Sequence, residues 1–208
     1  SGVIFMISIF LQNIQRLQPE SAGIYLIAMS VAMALLSPPS GWLADRVGSR
    51  LLSTVGMIIV TVGLLLLSQL NVASPGDDIV LRLTFLGIGF GLFSSPNTRA
   101  VMSSVDQKKL GVASGTLSTM RATGQSVGLA LATAVIATAI PAQLMLQLFI
   151  GLSTQSPIAA GDFITGMSNV FLIAAGISAV GTVASLVRGR EVSGRNSVTR
   201  HNVASEEP

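Results

Sequence analysis

The sequence predicts an all-α polytopic membrane protein with six transmembrane helices, and three observations carry that prediction. Half of the 208 residues are hydrophobic and only 10% are charged, against roughly 25% charged in soluble domains; the mean hydropathy is +0.71. Five segments stay apolar for 20 residues or more, enough to cross a hydrocarbon core of ~30 Å at ~1.5 Å per residue. They are far longer than the ~10-residue alternating strands of a membrane barrel. Lys and Arg also alternate between the polar breaks, as they do in multi-pass proteins.

The opening run, Gly2 to Leu11, is about half the ~20 residues a span needs. Extended to Leu17 it is still short, and it meets polar Gln12, Asn13 and Gln15. It is expected to be a truncated first helix, with natural chain upstream. The five full spans are expected near Ala22–Leu43, Leu51–Leu70, Ile79–Met102, Gly111–Ile140 and Phe163–Val187. Residues 1–187 thus form a six-helix bundle. Residues 188–208 are polar, have no apolar face, and read as a disordered tail.

Charge sets the orientation. Arg46 and Arg50 follow the second helix, Lys108 and Lys109 follow the fourth, and Arg188, Arg190, Arg195 and Arg200 lie in the tail. The three alternate regions hold only Arg16 and Arg82. Eight basic residues against two predicts that the first set, including the C-terminus, faces the cytoplasm.

Several chemistries are excluded or disfavoured. With no Cys, there is no disulfide, thiol nucleophile or Cys metal site. The single His, His201, lies in the tail without neighbours that would hold it for catalysis or metal binding. No cofactor or metal is expected, and an enzyme is the least supported class. The pI near 10.2 reflects a net charge of only +3 from scattered residues, so nucleic acid is not an expected partner. Membrane lipid is.

Charges are concentrated in GWLADRVGSR, residues 41 to 50, between two long apolar runs. A short turn between antiparallel helices needs Gly for tight geometry. Asp45 can accept hydrogen bonds from free N–H groups at a helix start, and Arg46 and Arg50 can pair with it. GWLADRVGSRLL resembles the signature loop of the major facilitator superfamily: Gly41, Leu43, Ala44, Asp45, Arg46, Gly48 and Arg50 match its pattern. Ser49 stands where that pattern often has a basic residue, which thins the implied charge network. Gly111 to Leu131, GVASGTLSTMRATGQSVGLAL, resembles the penultimate helix of the fourteen-helix drug/proton antiporter branch, and Gly87 to Met102 resembles the helix before it.

The resemblance covers nearly all of the chain to Arg188. It implies the C-terminal half of a transporter, partnered by a missing N-terminal half, in a bacterial cytoplasmic (inner) membrane. It further implies proton-coupled efflux of lipophilic, often cationic, drugs by alternating access, with Gly41, Asp45, Arg46, Gly48 and Arg50 as a gating loop. Two alternatives stand beside it: metabolite uptake or export on the same fold, and a non-transporting six-helix interaction subunit.

Within the spans, Arg121 sits near the bilayer centre, where an Arg costs roughly 2.5–3.5 kcal/mol to insert. It should face the bundle interior beside Gln125, either as a structural pair or in a substrate or coupling role. Arg121, Asn97 and Gln125 are the substrate-cavity candidates. Arg99 lies nearer the helix end and reads as a snorkelling anchor. The glycine pairs 87/91, 111/115 and 124/128 are expected to let helix backbones pack closely. Pro38, Pro39 and Pro96 are expected to break or bend their helices. No Asp or Glu lies deep in a span, so a proton-titrating carboxylate would have to come from the missing half.

Overall fold

The computed structural model describes residues 2–139 and 157–187, and among these there is no strand. The expected loop from Pro141 lies largely outside the described residues, and the tail with His201 lies wholly outside them. Six helices follow one another: α1 (Gly2–Ile9), continued by a π-helical turn over Phe10–Ile14, α2 (Pro19–Val47), α3 (Ser49–Leu67), α4 (Gly76–Ser103), α5 (Leu110–Ala139) and α6 (Pro157–Val187). Five, α2 to α6, contain stretches long and apolar enough to cross a membrane; the apolar helix Gly2–Ile14 is shorter. Among the described residues the complete spans therefore number five, beside one short helix.

The helices overrun the apolar segments because polar residues finish their ends. At 29 residues, α2 is about 44 Å long. It starts at Pro19, where the fixed φ of proline suits a first helical position. It runs unbroken through Pro38 and Pro39, as α4 runs through Pro96. The expected breaks do not occur. Beside the two prolines, the buried Ser40 hydroxyl bonds both the Ser37 carbonyl (2.9 Å) and the Gly91 carbonyl of α4 (3.0 Å).

Helix α4 is the hub, packed most extensively against α2 and α3. Its glycines make that possible on two faces. A Cβ on Gly87 would overlap the Met29 carbonyl oxygen of α2, and one on Gly91 would lie 3.0 Å from the Met33 carbonyl oxygen. A Cβ on Gly89 would lie 2.8 Å from the Val60 nitrogen of α3, and one on Gly56 would lie 2.7 Å from the Phe93 nitrogen. Close packing thus holds for the 87/91 pair. On α5, Gly111, Gly115 and Gly124 face open space, as Gly128 does.

A hydroxyl seam joins α3 to α6. Thr54 pairs with Ser185 (2.9 Å), Thr61 donates to Ser178 (2.9 Å), and Ser168 donates to the Ser68 carbonyl (2.8 Å). The α3 positions recur every seven residues, two helical turns, so one face meets antiparallel α6 along its length.

The apolar core gathers at the end of the bundle remote from Asp45, here the far end. Met6, Ile7, Phe10 and Leu11 of α1 are fully buried among Leu64, Leu67, Leu83, Ile136, Phe163 and Phe171. Gln15 closes this end by donating to the carbonyls of Val72 and Ser74, both at 3.2 Å. Arg82 pairs with Asp78 at 2.7 Å and donates to the Leu66 carbonyl, fixing α4 to the last turn of α3.

Candidate functional site

The charged motif occupies the opposite end, here the motif end. Asp45 and Arg46 lie in the last turn of α2 rather than in a loop, and the turn itself is Gly48 alone. Gly48 has φ +96°, in the region that favours glycine, and its N–H bonds the Ala44 carbonyl at 2.9 Å. Gly41 allows α2 to approach α4: a Cβ there would lie 3.0 Å from the Ser95 hydroxyl.

Asp45 pairs with Arg99 of α4 at 2.8 Å, and Arg99 also reaches the Gly41 carbonyl at 3.4 Å. In sequence, Arg46 and Arg50 are the nearest cations to Asp45, and Arg99 reads as an anchor. Instead, Arg46 lies over the Trp42 ring, 3.9 Å from its centroid. Among the described residues the ion pairs are Asp45–Arg99 and Asp78–Arg82. The Asp45–Arg99 pair is about half exposed on both sides, so it contributes at most about 1 kcal/mol. Its consequence is positional: it ties the ends of α2 and α4 together.

Between α4 and α5 the motif end is open. Only Ala132 and Ile136 of α5 are buried, both near its far end, and contact between α4 and α5 is sparse. Arg121 crosses the gap, with its guanidinium 3.4 Å from the Thr98 hydroxyl. Thr98 lies five residues before the end of α4, so this contact lies about 7.5 Å inside that end. Arg121 thus reaches from α5 to the motif-end part of α4.

Asn97 is the neighbour of Thr98 and is half-buried; Gln125, one turn beyond Arg121, is exposed. Thr98 is the residue that sequence reasoning missed here. A threonine at i+4 from Ser94, bonded to the Ser94 carbonyl at 2.9 Å, gives no sign in sequence that it faces another helix. A groove of about 660 Å³ runs along α5, lined by Gly115, Thr116, Thr119, Met120 and Thr123. A second, of about 510 Å³, lies between α5 and α6, where Asn169 and Thr138 are set among aliphatic side chains.

The arrangement is a bundle with a packed apolar core at one end and, at the other, α4 and α5 loosely joined through the Arg121 guanidinium and the Thr98 hydroxyl. That can admit a solute from the motif end; among the described residues it holds no cluster of groups suited to a metal.

The chain resembles known transporters in sequence. The chain is 37% identical over 123 residues to the uncharacterized transporter YebQ of Escherichia coli, covering 59% of this chain and 27% of YebQ. It is 32% identical over 136 residues to the multidrug resistance protein Stp of Mycobacterium tuberculosis, covering 65% and 25%. It is 29% identical over 129 residues to the riboflavin transporter RibZ of Clostridioides difficile, covering 62% and 28%. The matched stretches therefore span about a quarter of each relative. The profile of the Major Facilitator Superfamily matches residues 1–205. With five apolar helices of spanning length, the chain is an integral multi-pass membrane protein of a transporter family rather than an enzyme. It belongs to the major facilitator superfamily.

Proposed function

We propose that this chain supplies one bundle of a secondary active exporter for lipophilic or cationic drugs, working by alternating access against a second bundle. The short helix Gly2–Ile14 would then count as the sixth span. The observation that carries the reading is the sparse packing of α4 against α5 at the motif end, which leaves room for a cleft there, beside the α1 core that closes the far end. Substrate sites in such transporters lie at the interface of two repeats. A wall with Arg121, Asn97 and Gln125 but no embedded carboxylate suits cargo that is largely apolar.

The alternating Lys and Arg support a cytoplasmic motif end and C-terminus, in the bacterial inner membrane that the resemblance implies. Asp45–Arg99 would hold the cytoplasmic ends of α2 and α4 together, with Gly41, Arg46, Gly48 and Arg50 shaping the turn that moves with them. Among the described residues every acidic side chain lies near a helix end or in a loop. A proton-coupling carboxylate would therefore come from the partner bundle.

The relative named a multidrug resistance protein supports drug cargo. The one named a riboflavin transporter favours a second reading, a planar metabolite as cargo. Transport by the full-length protein in proteoliposomes with an imposed proton gradient separates them. Gradient-driven movement of a cationic dye, not competed by riboflavin, supports the drug reading. Riboflavin movement without dye movement supports the second, and the absence of both rejects export of either class.

A further inference from the structure

Arg46 is a cation whose expected partner is taken. Asp45, its neighbour in sequence, is paired with Arg99 at 2.8 Å, and Arg46 is instead drawn back along α2 onto Trp42, 3.9 Å from the ring centroid. Stacking uses the face of the guanidinium and leaves its in-plane N–H groups free to donate. Those donors are spaced to match a phosphate. Arg50 adds a second positive charge in the first turn of α3.

The surface leading to this pair has the character of a lipid-facing one. On α2, Ile24, Ile27, Val31, Leu35 and Trp42 recur at helical spacing and are exposed, at 47–70%. The stripe is purely apolar until it ends in Trp42 and Arg46. An aliphatic stripe ending in Trp and Arg marks the level where hydrocarbon meets headgroups. The exposed surface of α5 differs, carrying Thr119, Arg121, Thr123, Gln125 and Ser126.

The geometry points to an anionic phospholipid site at the motif end, where the phosphate takes the free edge of Arg46, Arg50 supplies long-range attraction, and the acyl chains lie along the α2 stripe. The site needs only that the motif end meet a membrane surface, so it stands or falls separately from the cargo.

Trp42 is the single Trp of these 208 residues and sits inside the site, so it reports occupancy directly. The full-length protein is placed in nanodiscs containing dibrominated phosphatidylglycerol or dibrominated phosphatidylcholine. The Trp42 signal is isolated by subtracting the Trp42→Phe variant. The expected result is about a fivefold preference for phosphatidylglycerol per arginine. Arg46→Gln removes most of it, and Arg46→Lys retains part. In unaltered protein the preference also collapses near 1 M salt, where the screening length is about 3 Å, a readout that does not depend on any variant folding. Equal quenching by both lipids overturns the site, because Trp42 then meets lipid without charge selection. Absence of quenching by either also overturns it, because protein then covers this face.

Discussion

Asp45 and Arg99 form an ion pair at 2.8 Å across 54 residues of sequence, joining the motif end of α2 to that of α4. Both side chains are about half exposed, so the pair contributes little to folding, and removing it should act on the balance between conformers. Asp45→Asn and Arg99→Gln are each expected to lower transport by up to about fivefold, the population shift that ~1 kcal/mol allows, without loss of membrane insertion. Exchanging the two charges should restore part of the rate. Efflux assays with quantified membrane levels check this; unchanged efflux in Asp45→Asn counts against the gating role.

The glycines of α4 and α5 should differ in their response to substitution. Gly87→Ala places a methyl into the Met29 carbonyl and should destabilise the bundle by about 1–3 kcal/mol. On α5, Gly111→Ala and Gly124→Ala meet nothing within 4 Å and should leave thermal unfolding in detergent close to that of the unaltered protein.

The α3–α6 seam should show measurable coupling. A double-mutant cycle on Thr61→Ala and Ser178→Ala removes one 2.9 Å interhelical bond. The expected interaction energy is about 0.6 kcal/mol, within the range up to ~1.7 found for such bonds in membranes. Zero coupling would mean that the hydroxyls find equal partners when separated.

Arg121 makes one long hydrogen bond, to Thr98 at 3.4 Å, and is exposed. Arg121→Gln should therefore change thermal stability by no more than about 0.5 kcal/mol, as for a surface position. A large fall in transport alongside that small change places Arg121 in the solute path; a large loss of stability assigns it to structure.

Helix existence and order were legible because apolar length alone separates membrane spans from loops. The boundaries were less so. The expected spans ended at Leu43 and Leu51 around the charged motif, whereas α2 and α3 continue to Val47 and from Ser49, with Gly48 between them. Charged residues can occupy a helical turn that projects beyond the hydrocarbon. Gly48 was visible as a turn residue in its sequence setting. The partner of Asp45 was not, because nearby arginines at 46 and 50 offered a simpler local pairing than Arg99. Nor could the sequence show that Gly87 and Gly91 face α2 while Gly89 faces α3, since that depends on the rotation of α4. The π-helical turn at Phe10–Ile14 and the positive φ of Arg16 (54°) also left no composition signal.

Access to the cleft is the most direct test of alternating access at the motif end. The chain has no Cys, so in a Cys-free full-length background Thr98→Cys, facing Arg121 across the gap between α4 and α5, is the only thiol. A membrane-impermeant maleimide applied from the cytoplasmic side should label it, and adding transported dye should change the labelling rate several-fold. Met6→Cys, fully buried in the far-end core, should stay unlabelled throughout. A Thr98→Cys rate indifferent to dye, or labelling confined to the opposite side of the membrane, would contradict a cytoplasmic cleft that opens and closes with transport.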